Sequence, residues 1–244
     1  MIQPAPPKNR ILAALPAIDL ERLLPQLTPV QLHHGQILYM PGEVMEFVYF
    51  PERSMVSLIS TTASGEYVET SIVGFEGMAG ISAVLGVDNS PYQALVQYPD
   101  SALRMRVDHL REEFNLGGAL NSKLLRYIHT LLLQTSQIAA CNRLHSLSGR
   151  LARWLLMSQD RCQTDDLPFT HELLSLMLGT RRPGVTEAAI FLQAKGCIQY
   201  RRGHIKITDR EELLDHSCEC YPVIKAEFDL VIASETPVSL LSAF

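Results

Sequence analysis

The sequence has no long, uncharged hydrophobic run. Its least charged stretch, residues 127–142 (YIHTLLLQTSQIAACN), contains histidine, threonine, glutamine, serine and asparagine. It is also shorter than the roughly 20 apolar residues that a membrane-spanning helix needs. The first ten residues, MIQPAPPKNR, lack the apolar segment of a secretory signal. We therefore expect no membrane association and a cytoplasmic protein.

The common signatures of catalysis are also missing. The sequence contains no phosphate-binding P-loop, no G-x-S-x-G and no H-E-x-x-H. Cys141 and His145 are four residues apart and could form a nucleophile–base pair, but we interpret this spacing as accidental. The histidines His33, His34 and His171 are interpreted as strand and helix-surface residues. We predict that the protein is not an enzyme.

Cysteine is scarce, and the five cysteines are an odd number. In a chain without a secretory signal, reduced thiols are the usual state. Cys218 and Cys220 form a C-x-C pair that could bind a metal or sense oxidants, but a metal site needs further ligands at suitable spacing. We interpret the cysteines as ordinary thiols and expect no metal and no cofactor.

What is present indicates an α+β protein with more than one domain. The chain of 244 residues is 47% hydrophobic and 19% charged, which is typical of globular proteins. Short, often alternating apolar runs separated by Pro and Gly turns fill residues 30–107, a pattern that predicts a β sandwich, barrel or jelly roll instead of parallel βαβ units. Before them, Pro16, Pro25 and Pro29 interrupt short helical segments.

A heptad-like pattern follows the predicted strands. Six positions spaced by four and three residues form this seam: Leu124, Ile128, Leu131, Thr135, Ile138 and Asn142. Such spacing is typical of a long packed helix. A second stripe, Leu125, Leu132 and Ala139, lies one position further on. One stripe could pack on the β domain and the other on a partner chain; a helix buried in a monomer is the alternative. The polar seam residues lead us to assign dimerisation to the six-residue seam.

Positive charge is concentrated near the C-terminal third, although the net charge is −5. Between Thr180 and Lys206 six basic residues accompany a single acidic one, Glu187. Together with the residues before it, this segment is predicted to form two helices joined by a turn. Thr170 is the N-cap of the first helix and Gly179 ends it, while Pro183 lies in the first turn of the second helix. Arg202-Gly203 then forms the turn of a hairpin. A second helix that presents arginines at its start, followed by a basic hairpin, is the organisation of a winged helix-turn-helix.

The order of these parts resembles the bacterial Crp/Fnr family of transcription regulators. The resemblance covers about residues 32–221 and includes GQILYMPGE (35–43), the turn around Gly74 to Gly80, the SGRLARWLL segment and the winged helix. It implies three regions: a cyclic-nucleotide-binding-like jelly roll over 1–118, a dimerisation helix over 119–145 and a winged helix-turn-helix domain over 146–244. By this resemblance Arg182 is the principal base-reading arginine. The predicted DNA-binding residues are Thr170, Thr180, Arg181, Arg182, Thr186, Glu187, Arg201, Arg202 and His204.

The sequence departs from the family pattern where the family binds cyclic nucleotides. Gly77 is followed by Met78 rather than an acid, and residues 90–93 contain no arginine to hold a cyclic phosphate. The N-terminal cysteine cluster of iron–sulfur oxygen sensors is missing too, because the first cysteine is Cys141. Pro183, Gly184 and Glu187 also differ from the residues the family often carries there. We predict that cyclic AMP is not the effector, and the effector is unknown.

The sequence thus predicts a homodimeric regulator that binds a near-palindromic site in double-stranded DNA, with RNA polymerase as a further partner. The alternative is a small-molecule sensor whose winged helix contacts protein instead of DNA. The sequence does not specify the target genes, the DNA consensus, activation or repression, or the role of the apolar tail, residues 235–244.

Overall fold

The computed structural model describes residues 6–233, and the apolar tail at 235–244 lies outside the described residues. The chain begins with two short helices, α1 (Arg10–Ala13) and α2 (Ala17–Leu23), and a 3-10 turn at Leu24–Gln26. The Asn9 side chain caps α1 by accepting hydrogen bonds from the Ile11 and Leu12 amides. As predicted, Pro16 directly precedes α2 and Pro25 lies in the turn that follows it; Pro29, in contrast, lies in the first strand of the β domain and interrupts no helix.

Seven strands follow and form two antiparallel sheets. They are β1 (Thr28–Gln31), β2 (Ile37–Tyr39), β3 (Phe47–Pro51), β4 (Met55–Thr61), β5 (Tyr67–Val73), β6 (Gln93–Tyr98) and β7 (Ser101–Arg106). One sheet has the order β1-β7-β3 and the other β2-β6-β4-β5. Turns at Gly42 (φ +84°) and Gly65 (φ +84°) use the left-handed backbone that glycine allows. Apolar side chains from both sheets, Phe50 and Val56 among them, are fully buried between the layers. The predicted jelly roll in an α+β fold is confirmed.

Two helices lead out of the sheets: α3 (Val107–Asn115) and α4 (Gly118–Leu144). The sides of the long helix α4 contact different parts of the molecule. On the side of the β domain, the Gln134 amide donates to the Ile72 carbonyl at 3.1 Å and the Thr135 and Ser71 hydroxyls are 2.8 Å apart. These contacts attach α4 to β5 of its own chain.

This packing changes the interpretation of the heptad seam. Leu124, Leu131 and Ile138 are buried within the chain itself, Ile128 packs against the same core, and Thr135 is bonded to Ser71. The seam that sequence spacing assigns to a dimer is thus used largely inside the protomer, because α4 must cover the open side of the β domain. Asn142, the sixth position, is only half-buried.

The neighbouring stripe is the one that faces solvent. Leu125 is 45% exposed and Leu132 64% exposed, and Ala139 is exposed as well. Exposed leucines at heptad spacing on a long helix are typical of a helix that meets another copy of itself.

The C-terminal domain contains four helices around a small sheet. Its elements are α5 (Leu147–Cys162), β8 (Asp166–Leu167), α6 (His171–Met177), α7 (Arg182–Ala194), β9 (Ile198–Arg201), β10 (His204–Ile207) and α8 (Arg210–Asp215). The strands pair in the order β8-β10-β9. The predicted hairpin of β9 and β10 is therefore extended to a three-stranded sheet by β8. No sequence pattern indicates β8, because it has only two residues.

The last described helix, α9 (Cys220–Ala233), packs against α4 and α5. The Phe228 ring lies 6.4 Å from the Tyr127 ring of α4, and the Gln137 amide of α4 points to the Cys220 sulfur at 3.3 Å. The chain thus returns from the C-terminal domain to the long helix. The sequence reading placed all of 146–244 in one winged helix-turn-helix domain and did not separate this helix.

The two domains share one continuous hydrophobic core. Polar contacts inside it also cross the boundary. Trp154 of α5 donates to the Glu69 carboxylate of β5 at 2.7 Å, and Arg161 of α5 forms an ion pair with Glu76 at 2.7 Å. In the described part of the chain, no helix has the length and apolarity to cross a membrane.

Candidate nucleic-acid interface

The first helix of the interface, α6, begins at Thr170. The Thr170 hydroxyl accepts a hydrogen bond from the Leu173 amide at 3.1 Å, as the sequence predicts for an N-cap. Glu172 in the first turn is exposed. The first turn of α6 therefore combines a hydroxyl and a carboxylate at the surface of the domain.

The turn between α6 and α7 depends on Gly179. Its φ of +57° is in the left-handed region that ends helices, so the predicted helix stop is confirmed. The Thr180 amide donates back to the Ser175 carbonyl at 2.9 Å, and the Arg150 guanidinium of α5 donates to the Leu178 carbonyl. These bonds satisfy carbonyl groups near the end of α6 and hold the turn against α5.

Helix α7 presents its first residues to solvent. Arg181 is its N-cap in an extended conformation and Pro183 lies in its first turn, where the missing N–H removes no helical bond. Val185, Ala189 and Leu192 face the core, as predicted, and are buried. Arg181, Arg182 and Glu187 are exposed on the opposite side, and Thr180 is half-buried. The start of α7 is thus an accessible basic surface.

Two of the predicted interface residues are already engaged within the chain. The Arg182 Nε atom is 3.9 Å from a carboxylate oxygen of Glu172, and both side chains are about two-thirds exposed, at 68% and 66%. At that exposure an ion pair contributes little and can exchange partners. The Thr186 hydroxyl donates to the Arg182 carbonyl at 3.1 Å and lies 3.0 Å from His171 Nδ1.

His171 is not the helix-surface residue that the sequence suggests. It is 8% exposed, and its ring is stacked on Tyr200 with centroids 3.9 Å apart. Burial, and secondarily the positive charge of Arg182, lower the pKa of His171. The imidazole therefore serves as a neutral packing element between α6 and the wing.

The wing is the hairpin of β9 and β10. Arg202 and Gly203 at its tip have φ values of +49° and +85°, which confirms the predicted two-residue turn. Arg201, Arg202 and His204 are exposed at this tip. His204 Nδ1 lies 3.0 Å from an Asp166 oxygen, so a carboxylate from β8 accompanies the basic tip.

The wing lies beside the start of α6. A side chain on Gly203 would contact the Thr170 methyl group at 3.5 Å, and Tyr200 of β9 stacks on His171. The Tyr200 amide also donates to the Gln193 side chain of α7 at 3.0 Å. The wing is thereby held against both helices, and its arginine pair belongs to the same small domain as the arginine pair of α7.

Sequence reasoning missed the acidic and aromatic partners of this surface: Glu172, Asp166 and Tyr200. Glu172 lies in the first turn of α6. Its contact with Arg182, like that of Asp166 with His204, joins residues 10 and 38 positions apart. Periodicity carries no signal for pairs of this kind, because they depend on how the helices and strands pack.

Gly77 and Met78, where the sequence departs from the family pattern, pack against the long helix α4. Tyr127 of α4 is fully buried, and its hydroxyl donates to the Met78 carbonyl at 3.1 Å. A Cβ atom on Gly77 would lie 2.6 Å from atoms of the Tyr127 ring, so glycine is required for this close approach. Met78 itself is fully buried.

A cavity of about 220 Å³ lies elsewhere, at the junction of the β domain with α5 and α9. Phe75, Glu76, Arg161, Tyr221 and Phe228 are among the residues that line it. The cavity combines aromatic rings with a buried ion pair.

A jelly roll, a long helix and a winged helix-turn-helix with a basic surface define a class of protein: a sensor-like domain attached to a DNA-binding domain. Residues 149–216 match the model of the Crp-like helix-turn-helix domain. The global nitrogen regulator of Nostoc is 23% identical and aligns with 71% of this chain and 82% of its own.

Solved structures show the same architecture. A putative regulator of the Crp/Fnr family from Eubacterium rectale superposes with a TM-score of 0.65 at 15% identity, covering 82% of this chain and 94% of its own. FixK2 from Bradyrhizobium japonicum gives a TM-score of 0.64 at 14% identity, covering 79% and 98%. The family model thus identifies a Crp-like helix-turn-helix domain in residues 149–216, and the solved structures share the fold, in agreement with the resemblance to the Crp/Fnr family noted in the sequence.

Proposed function

We propose that this protein is a cytoplasmic transcription regulator that binds specific sites in double-stranded DNA as a homodimer. The observation that carries the proposal is the exposure of two arginine pairs, Arg181-Arg182 and Arg201-Arg202, at the start of α7 and at the tip of the wing. These are the two places where a winged helix-turn-helix contacts bases and phosphates. The proposal assigns the protein no enzymatic activity.

The roles of the nine predicted residues divide by position. Arg182 reads a base edge, since a guanidinium can make bidentate contact with guanine O6 and N7. Thr170, Thr180 and Arg181, together with the wing residues Arg201, Arg202 and His204, contact phosphates. Glu187, one turn further along α7, accepts from a cytosine amine. Thr186 packs on His171 and orients the start of α7.

Dimerisation is assigned to the solvent-facing stripe of α4. Leu125, Leu132 and Ala139 are free to meet the same stripe of a second chain, whereas most of the six-residue seam is used internally. Two symmetry-related winged helices would then read two half-sites about 34 Å apart, one helical turn of DNA. RNA polymerase is the further partner expected of a regulator of this kind.

The regulator is not expected to respond to cyclic AMP. The Tyr127 ring occupies the space next to Gly77, and residues 90–93 provide no arginine for a cyclic phosphate. The 220 Å³ cavity at the domain junction is the better candidate for a small effector, because it contacts both domains.

The test is selection of bound duplexes from a random DNA library, followed by anisotropy titrations at several salt concentrations. We expect a near-palindromic consensus and an affinity that falls steeply with salt. Arg182→Ala should cost about 1–3 kcal/mol on the selected site and relax one base position, with a smaller loss on random DNA. Arg53→Ala, an exposed arginine of the β domain, is the control and should leave binding unchanged.

Two results would contradict the proposal. Absence of binding even at low salt would indicate that the winged helix contacts protein, the alternative use of this fold. An equal loss on selected and random DNA would show that Arg182 contacts phosphate and not a base.

A further inference from the structure

The fold brings together a Cys/His pair and a Cys/Cys pair that are far apart in sequence. Cys141 lies in the last turn of α4 and His145 is the C-cap of that helix, while Cys220 begins α9 and Cys218 lies two residues before it. The three sulfur atoms and one imidazole nitrogen all lie within 4.8 Å of one another. Cys141 Sγ is 3.4 Å from Cys218 Sγ, and Cys220 Sγ is 3.4 Å from His145 Nδ1. The C-x-C motif thus has the second pair of ligands that its sequence lacks.

These distances suit a tetrahedral metal ion. Zinc binds sulfur at about 2.3 Å and imidazole nitrogen at about 2.0–2.1 Å, so its ligand atoms are separated by roughly 3.5–3.8 Å. Three thiolates and one imidazole are a common ligand set of structural zinc sites. Cys141 and Cys220 are fully buried and Cys218 is 8% exposed, which leaves His145 as the most accessible ligand.

The orientation of His145 supports the same interpretation. Its Nε2 atom lies 3.0 Å from a carboxylate oxygen of Glu219, so the opposite nitrogen, Nδ1, is directed to the sulfur atoms. A carboxylate on the second ring nitrogen is the usual companion of a metal-bound histidine, because it holds the ring and its tautomer in place.

The charges around the cluster fit an anionic centre. Three thiolates with one divalent ion carry a net charge of −1, and the buried guanidinium of Arg153 on α5 acts on Cys141. Arg153 is 2% exposed, and its charge also acts on the buried carboxyl group of Glu69.

We propose that Cys141, His145, Cys218 and Cys220 bind one zinc ion, which joins the end of α4 to the start of α9. The ion would stabilise the return of α9 onto the long helix at the point where α4 passes into the C-terminal domain. This inference is independent of DNA binding. It replaces the interpretation of these cysteines as ordinary thiols.

The experiment measures metal in the full-length chain, purified without a histidine tag and under reducing conditions. Wild-type protein is offered equimolar zinc, exchanged into metal-free buffer and analysed by mass spectrometry. We expect one zinc per chain. Cys218→Ser combined with Cys220→Ser, and separately His145→Ala, should abolish or strongly weaken retention. Glu219→Gln should weaken it by about tenfold, because only the orientation of His145 is lost.

Two matched controls use the remaining cysteines. Cys162 is buried away from the cluster, and Cys197 lies in a separate three-residue group with Glu212 and His216. Cys162→Ser and Cys197→Ser should each retain one zinc per chain. Loss of zinc only in Cys197→Ser would move the site to that second group and overturn the proposal.

Cobalt substitution gives a readout that does not depend on whether the variants fold. Cobalt added to the wild-type protein should give the intense visible bands of tetrahedral coordination and a thiolate charge-transfer band. A weak octahedral spectrum, or zinc retention unaffected by the Cys218/Cys220 double variant, would overturn the proposal. So would a Cys141–Cys218 disulfide in air that, once reduced, leaves a protein unable to retain zinc; the pair would then be a redox element.

Discussion

At the scale of single residues, close packing sets which positions tolerate change. Gly179 has a φ of +57° and lies against the β domain: a Cβ atom there would be 2.9 Å from Val68 Cγ2. Gly196 has a φ of +80° but nothing within 4 Å of such an atom. An alanine at Gly196 would therefore suffer only backbone strain, whereas an alanine at Gly179 would suffer backbone strain and a steric contact as well.

We expect Gly196→Ala to cost about 1–2 kcal/mol, from the left-handed backbone alone. Gly179→Ala should cost measurably more, because it adds the contact with Val68. Adding Val68→Ala to Gly179→Ala should recover part of that excess. Urea unfolding of the four proteins makes the comparison, and equal losses for the two glycine variants would show that the turn moves away from β5 freely.

A second residue-scale prediction concerns Glu69, a buried carboxyl between the two domains. Burial raises the pKa of Glu69 from 4.5 to about 7, although hydrogen bonds from Ser57 and Trp154 oppose the rise. Between these two pH values the folded chain holds a proton on Glu69 that the unfolded chain has released. Stability should therefore fall as pH rises from about 4.5 to 7 and change no further above that range.

The Glu69→Gln variant tests whether Glu69 causes this fall of stability with rising pH. Glutamine keeps the shape and can still accept from Trp154, but it does not ionise. The stability lost between pH 5 and pH 8 should be smaller in the variant by about 2.5 kcal/mol. Unfolding free energies at the two pH values, for both proteins, give the difference. The same pH dependence in both would mean that Glu69 is ionised throughout.

At the scale of elements, α4 shows how one helix meets three environments. One side covers the β domain, a second receives α9, and the third, with Leu125, Leu132 and Ala139, faces solvent. The heptad spacing 4-3-4-3-4 is visible in the sequence for the first side. The stripe of Leu125, Leu132 and Ala139 recurs every seven residues, which is the same heptad period, so periodicity alone could not decide which side meets a second chain.

Leu132→Asp should convert the proposed dimer into a monomer, because it places a charge in the middle of the exposed stripe. Ile18→Asp is the control: Ile18 of α2 is 74% exposed and lies outside α4. Light scattering at micromolar concentration should report a dimer for the wild type and the control, and a monomer for Leu132→Asp. A dimer in all three would assign the interface to another surface.

At the scale of the whole molecule, the parts best predicted from sequence are those with local causes. Thr170 caps α6, Gly179 ends it, and Arg202-Gly203 turns the wing, each through bonds or backbone angles within a few residues. The burial of His171 and the Cys141–Cys218 approach could not be predicted, because each depends on a contact between elements distant in sequence. The helices and the turn of the interface could thus be predicted from local sequence, whereas the side-chain contacts between them could be seen only in the folded structure.

The coupling of the two domains depends on a buried ion pair at their junction. Arg161 of α5 and Glu76 of the β domain are 2.7 Å apart with side chains only 6% exposed. Removing one partner leaves an uncompensated buried charge, whereas removing both removes the desolvation cost as well. Arg161→Met should therefore cost about 3–5 kcal/mol, and Arg161→Met with Glu76→Gln should cost much less than the sum of the single changes.

Calorimetry should also show how the pair affects cooperativity. Because the core is continuous across the junction, we expect one unfolding transition for the wild type. Arg161→Met should weaken the junction enough to separate the domains into two transitions, and the double variant should restore one. Additive losses, with a single transition in every variant, would show that the shared apolar core alone couples the β domain to the winged helix.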